Sequence, residues 1–210
     1  MRVLAYNVQS CRVGVETVAD VIQRAAPDVA ALNEVQRFQA REIGRIAQMN
    51  VTFGATLRWR RFGNALLTKG RPTEVRSALF SVSSREPRGM VRVTLPGGLV
   101  VAAVHLGLEA DERVAQAGEL VAALASAQRA VVAGDMNERP GGLALTVITS
   151  RFRDAFAEAG AGDGLTFTAQ EPKARIDYVF VSDGIRVERA TVLPDVASDH
   201  LAVVADLAID

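Results

Sequence analysis

Two rhythms of apolar and polar residues alternate along this chain. Short apolar runs, such as RVLAY at 2–6 and VAAL at 29–32, are separated by stretches in which apolar residues recur every three or four positions. The pattern predicts a strand over Arg2–Tyr6, a helix over Val15–Ala26 that Pro27 ends, and a strand over Val29–Leu32. A second helix is predicted over Gln36–Met49, burying Phe38, Ile43, Ile46 and Ala47. After Phe53 strands follow one another: Asn64–Thr68, Val75–Phe80, Met90–Leu95 and Leu99–His105, with a Pro96-Gly97-Gly98 turn joining the last two. Glu109–Ala127, rich in Ala, Leu and Glu, predicts a helix. Ala130–Ala133 reads as a buried strand, Leu143–Ser150 as a short helix, and Ile176–Val181, Val187–Leu193 and Leu201–Ala208 as closing strands. Hairpins mixed with βα units point to an α/β or α+β sandwich rather than a doubly wound parallel sheet. No repeat, low-complexity tract or linker divides the chain, so residues 1–210 are expected to form one domain.

Against this background the polar residues at strand ends stand out. Asn7 follows RVLAY, Glu34 follows DVAALN, and His105 ends LVVAAV. Asp135 and Asn137 follow RAVVAG, Asp177 begins DYVFV, and Asp199 and His200 precede LAVVADL. Asp135 and Asn137 are two apart, as are Asn7 and Gln9, so in extended chain each pair faces one side. Asp199 and His200 are adjacent and fit the loop before the last strand. Singly, each residue has an ordinary use: a turn, a cap, or an ion pair such as Asp177 with Arg175. Jointly they are harder to dismiss, because ionised groups flanking buried strands are costly unless paired or metal-bound. Both histidines of the chain fall in this set.

Composition changes the picture only locally. Lys plus Arg equals Asp plus Glu, at 24 each, so a generally basic nucleic-acid-binding surface is not indicated. Between Arg58 and Arg92, however, nine basic residues meet two acidic ones, a bias suited to an anionic substrate. Cys11 is the only cysteine, which excludes an internal disulfide and a Cys-rich zinc site. The opening MRVLAYNVQSC is too short and polar for a signal-peptide core, and no apolar run reaches the roughly 20 residues needed to span a bilayer. A cytoplasmic monomer without a membrane span is expected.

In order, LAYNVQS (4–10), PDVAALNEVQ (27–36), GNALLTKG (63–70), VVAAVHLG (100–107), VVAGDMNERPG (131–141), RIDYVFVS (175–182) and ASDHLAVVADL (197–207) resemble the endonuclease/exonuclease/phosphatase superfamily, the deoxyribonuclease I-like proteins. The resemblance implies a four-layer α/β sandwich, two packed mixed β-sheets flanked by helices. It implies that Asn7, Glu34 and Asp199 are metal-site residues, that Asp135 and Asn137 contact the phosphate and the attacking water, and that Asp177 and His200 are a catalytic Asp–His pair. His105 is similar to a histidine that some branches place opposite that pair. SREPRG (84–89) is similar to an Arg-Glu segment in which Glu86 would orient His105 and Arg85 or Arg88 would touch phosphate. Asn64 lies in a segment common to several branches and is carried over as substrate-binding. The chain departs from the family in having Asn33 before Glu34, where Gln is usual, and Gln9 where abasic-site endonucleases favour Asp.

The implied activity is divalent-metal-dependent phosphoester hydrolysis, most directly a phosphodiesterase or nuclease. The carboxylates and amide offer hard oxygen ligands that suit Mg²⁺, with Mn²⁺ and Ca²⁺ as alternatives. His200 can serve as the base or as a cation against the phosphate, and Asp135 competes for the role of base. The partner is a phosphoester, nucleic acid being one class of it; Trp59 and Phe62 are candidates to stack on bases. The competing readings are a phosphatase acting on inositol or nucleotide phosphates, and a non-catalytic binding module on the same fold.

Overall fold

In a computed structural model of the chain, which describes residues 1–57 and 62–209, two six-stranded mixed sheets pack face to face between outer layers of helix. In chain order the first elements are β1 (Arg2–Asn7), α1 (Val15–Ala25), β2 (Val29–Gln36), α2 (Arg37–Ile46), β3 (Asn50–Leu57) and β4 (Phe62–Thr68). Next come β5 (Glu74–Leu79), β6 (Gly89–Thr94), β7 (Val100–His105), α3 (Ala110–Ala123), β8 (Ala130–Asp135) and α4 (Leu143–Thr149). The last are β9 (Arg153–Asp154), α5 (Ala155–Ala159), β10 (Asp177–Val181), β11 (Ile185–Val192) and β12 (Val203–Ile209). The first sheet runs β11-β12-β1-β2-β4-β3 and the second β5-β6-β7-β8-β10-β9. β1 and β2 pair in parallel, as do β7 and β8, each pair joined through a helix; the other neighbours are antiparallel.

The alternation along each central strand explains the layers. Val3 and Ala5 face the opposite sheet, where Val101, Ala103, Val131 and Ala133 meet them. Leu4 and Tyr6 face outward onto Val18 and Ile22 of α1. On the far side, Val104 and Val132 pack on Leu120 of α3 and Ile148 of α4. Strands covered on both faces are apolar at nearly every position, which is why they read as unbroken runs. No helix among the described residues is long and apolar enough to cross a membrane.

A buried polar clamp crosses between the sheets. Asn33 of β2 donates from Nδ2 to Asn64 Oδ1 of β4 and to the Val104 carbonyl of β7, both at 2.9 Å. Its Oδ1 accepts from the Asp135 amide of β8 at 3.0 Å. Asn64 donates in turn to the Gly89 carbonyl of β6 at 2.8 Å. Gly134 permits the close approach: its φ is +143°, and a Cβ there would lie 2.0 Å from the Val104 carbonyl oxygen.

Some elements differ from expectation. The second helix stops at Ile46 and NVTFGATL forms β3, an edge strand that had not been expected. Its Gly54 interrupts the apolar alternation, because a Cβ there would sit 2.8 Å from Val91 of the other sheet. Phe38 is 62% exposed rather than buried: the inner face of α2 is Gln39, Ala40, Ile43 and Gly44. α3 ends at Ala123, four residues early. The short β9 and α5 also went unpredicted, although Asp154 caps α5 by accepting from the Phe156 and Ala157 amides.

Replacing Asn33 with Ala orphans several buried groups at once. We expect Asn33→Ala to lower unfolding free energy by about 3 kcal/mol, read as a fall in urea midpoint at constant slope. A loss below about 1 kcal/mol would show that the clamp contributes little to stability.

Candidate active site

Strand register brings the polar strand ends together. Asn7 lies opposite Asn33, His105 opposite Asp135, and Asp177 opposite Asp135 on its other side. They surround the floor of a pocket of about 700 Å³ at one end of the sandwich, lined among others by Glu34, Arg88, His105, Asp135, Asn137, Asp199 and His200. Asn7 and Asp177 lie just beneath that floor and are almost fully buried.

Asp135 is the centre. Its Oδ2 accepts from Asn7 Nδ2 at 3.0 Å and lies 3.5 Å from His105 Nε2 and 3.8 Å from His200 Nε2. Its Oδ1 accepts from the Asn137 amide at 2.8 Å. Burial, and then the neighbouring Asp177 carboxylate, push its pKa above the usual carboxylate range. Asn137 has a φ of +48°, which folds the chain back so that its Nδ2 reaches the Leu106 carbonyl at 2.9 Å. Asp135 and Asn137 thus face one pocket through a turn, not through the extended chain the spacing had suggested. Likewise Gln9 sits in a 3₁₀ turn (Gln9–Cys11); its amide donates to Asn7 Oδ1 and its Nε2 donates to Asp199 Oδ2 at 2.6 Å.

Glu34 enters through a bulge. The β2–β4 register slips between Leu32 and Val35, and Glu34 takes a φ of +53°. Bulges at a sheet rim re-aim one side chain; here it is Glu34, whose Oε1 lies 3.2 Å from Asn7 Nδ2 and 4.0 Å from His105 Nε2.

His200 and Asp177 form a hydrogen bond of 2.8 Å between Nδ1 and Oδ2. The Phe167 ring lies 4.8 Å from the His200 ring and walls it in. Burial pulls the His200 pKa down, but the Asp177 charge and hydrogen bond, with Asp135 and Asp199, outweigh it and raise it to about 9. His105 is shifted the other way, well below its ordinary value, by burial and by the positive Arg88 and His200. Arg175, a conceivable partner for Asp177, pairs instead with Asp154.

The remaining expected residues divide. Asp199 lines the pocket from the loop before β12. Arg88 lines it too, with Nη1 on His105 Nδ1 at 3.2 Å. Glu86 meets Arg88 at 3.5 Å rather than His105. Arg85 is 72% exposed, ion-pairs with Glu109 and does not line the pocket. Asn64 is buried in the clamp and does not line it either. Phe62 lines the pocket, whereas Trp59, Arg58, Arg60 and Arg61 lie outside the described residues. Phe167 and Leu108 line it without any signal in the sequence that singled them out.

The donor set suits a hard cation. Asp135 and Asp177 are buried carboxylates facing each other in register, and Asp177 Oδ1 has no hydrogen-bond partner. Two like charges so placed are destabilising unless a cation answers them. Ligand atoms of Asp135, Asp177 and His200 lie within 4.8 Å of one another, a possible metal site.

The family model described as "Endonuclease/Exonuclease/phosphatase family" matches residues 4–200. No curated protein matches the chain. Among solved structures, an endonuclease/exonuclease/phosphatase family protein from Bacteroides thetaiotaomicron superposes with a TM-score of 0.88 at 16% identity, covering 100% of this chain and 98% of that one. A mannosyl-6-phosphatase from the same species gives 0.84 at 16% identity, covering 100% of both chains. A 3′ phosphatase from Neisseria, bound to a product DNA hairpin, gives 0.82 at 15% identity, covering 99% of both. At these identities the superpositions speak for the fold, the four-layer α/β sandwich expected from the sequence.

The histidine–carboxylate set makes stability depend on pH. His200 holds its proton more tightly in the folded chain, so its contribution is complete below the unfolded value near 6.5 and disappears as pH rises through about 9. Asp135 has the same sign, since its raised pKa makes ionisation unfavourable to the fold. We expect the urea midpoint of metal-free protein to fall between pH about 6.5 and about 9, and His200→Gln to flatten that fall. An equally steep fall in the variant would place the effect elsewhere.

Proposed function

This chain belongs to the endonuclease/exonuclease/phosphatase family, and from that premise we propose that it is a divalent-metal-dependent phosphodiesterase, using water in line against phosphorus. Members of the family are hydrolases acting on phosphoesters, generally with a divalent metal. The observation that carries the reading is the buried Asp135 carboxylate, surrounded by Asn7, Asn137, His105 and the His200–Asp177 pair at the floor of an open pocket.

Each side chain then has a task. Glu34 and Asp199 would hold the ion, and Asn7, whose Nδ2 reaches Glu34 at 3.2 Å, would orient the Glu34 carboxylate at that metal site. Mg²⁺ is the natural choice for hard oxygen ligands, with Mn²⁺ or Ca²⁺ as alternatives. The tighter Asp135–Asp177–His200 group, with Asp177 Oδ1 unpartnered, is a rival metal site; we assign it to proton handling because the His200 ring lies between the two carboxylates, with Nδ1 on Asp177 and Nε2 toward Asp135. A metal bound at Glu34 and Asp199 would supply charge neutralisation to the phosphate and the leaving oxygen. His200 has a carboxylate beside each ring nitrogen, Asp177 at Nδ1 and Asp135 at Nε2, which favours the imidazolium. It serves as a cation facing the phosphate. Asp135 takes the proton of the attacking water, whose oxygen bonds to phosphorus as the leaving oxygen departs. Asn137, its amide tied to Asp135, directs its side chain toward the same space and orients water or phosphate.

A second reading, a phosphatase acting on a small phosphoester such as an inositol or nucleotide phosphate, is supported by the size of the pocket and by the phosphatases among the structural neighbours. A panel of plasmid DNA, abasic DNA, RNA, sphingomyelin and phosphomonoesters, each with Mg²⁺ and with EDTA, separates the two by which substrates turn over. Cleavage that persists in EDTA would count against the assigned site.

On the best substrate, Asp135→Asn and His200→Ala should each lower kcat by about 10²–10⁴ while circular dichroism stays that of the parent. Near-parental turnover in both variants would defeat the assignment.

A further inference from the structure

One buried polar system next to the pocket has no part in the chemistry above. Residues 81–88 lie against α3 and are held there by side chains of that helix. Ser81 donates from its amide and hydroxyl to Glu119, and Ser84 does the same to Glu112, whose carboxylate is buried. Gln116 donates to the Val82 carbonyl at 2.7 Å and to Glu112 at 3.0 Å, and accepts from the Gly107 amide at 2.8 Å. Gly107 admits this packing, since a Cβ there would lie 2.2 Å from the Glu112 carboxyl carbon. The same side chains thus tie residues 81–84 to the chain just beyond His105.

This strut presents Arg88. Its backbone is fixed by the Phe80 amide at 2.9 Å and the Ser83 hydroxyl at 3.3 Å, and its Nη1 lies 3.2 Å from His105 Nδ1 and 3.5 Å from Glu86 Oε2. A guanidinium has donors only and does not deprotonate. His105 Nδ1 must therefore offer its lone pair, which leaves the ring proton on Nε2. Nε2 faces Asp135 Oδ2 at 3.5 Å and Glu34 Oε1 at 4.0 Å. The Asn137 Nδ2 also lies 3.1 Å from Nε2; one of its two N–H groups donates to the Leu106 carbonyl at 2.9 Å, and with the ring proton on Nε2 the other must turn aside into the pocket.

We propose that Arg88 is a positioning residue that locks His105 in its Nε2–H tautomer, making His105 a hydrogen-bond donor toward the pocket and never a base. The tautomer stands on geometry alone; its consequence for turnover rests on the phosphoester-hydrolase reading. Arg88 then acts through His105 rather than by gripping phosphate, and α3 is what holds it in place.

The chain has two histidines, so ring spectra of ¹⁵N-histidine-labelled protein contain two spin systems. His105 should show an unprotonated Nδ1 and a protonated Nε2 in the parent, and Arg88→Lys, which keeps a donor, should preserve this. Arg88→Met should populate the Nδ1–H form and lower kcat on bis(p-nitrophenyl) phosphate with Mg²⁺ about 10–100-fold at a KM within about twofold, the usual scale for losing the group that orients a functional imidazole. An Nδ1–H tautomer in the parent overturns the proposal whatever the variants do, and so does a parental ring spectrum in Arg88→Met. Absence of turnover on every phosphoester would instead defeat the hydrolase reading and leave the spectral result standing.

Discussion

A carboxylate taken out of water at the seam between two sheets has to be answered by donors from both, and Asp135 is that carboxylate. It is 1% exposed, its backbone amide is held by Asn33 from the first sheet, and Asn7 from the same sheet supplies a side-chain donor. From its own sheet come His105 and the Asn137 amide, and the His200 ring closes the remaining side. Desolvation makes the ionised form expensive unless positive charge or hydrogen bonds replace the lost water. The positions of the surrounding groups follow from that need, and so does the attraction of the pocket for a cation.

The two parallel strand pairs make such a meeting point available. Parallel neighbours run to the same edge, so Asn7 at the end of β1 arrives beside Asn33 of β2, and the last residues of β7 and β8 arrive together. Stacking the sheets brings these two sets of ends face to face. The Asn33–Asn64 clamp fixes their spacing, because it bonds simultaneously to β4, β7 and β8. Side chains mounted on strand ends and tied across the seam are rigid, which suits groups whose mutual distances decide the chemistry.

Much of this was legible in the sequence, and the unread part has a common cause. The central strands are apolar on both faces, so their runs are unbroken and the polar residue that ends each run is conspicuous: Asn7, His105, Asp135. β3 was hidden because Gly54 breaks its alternation to make room for Val91 of the other sheet. Phe38 misled because helical periodicity does not say which face a short helix turns inward. Asn33 read as a departure from the family pattern, and only the stacking of the sheets reveals it as the clamp. Of the expected substrate contacts Arg88 does line the pocket, while local sequence cannot show that Arg85 meets Glu109 and that Asn64 is buried between the sheets. Phe167 reaches the site from a long connection with no pattern of its own. Each miss concerns a contact between segments far apart along the chain.

The central claim is that distant segments surround one divalent cation at the Asp135 pocket. Paramagnetic Mn²⁺, added below stoichiometry to ¹⁵N-histidine-labelled protein, tests it without any substrate. Both His105 and His200 line that pocket, so both ring systems should broaden together, and excess Mg²⁺ should restore them. Ring signals that stay sharp while Mn²⁺ is added, or that broaden at one histidine alone, would contradict the account.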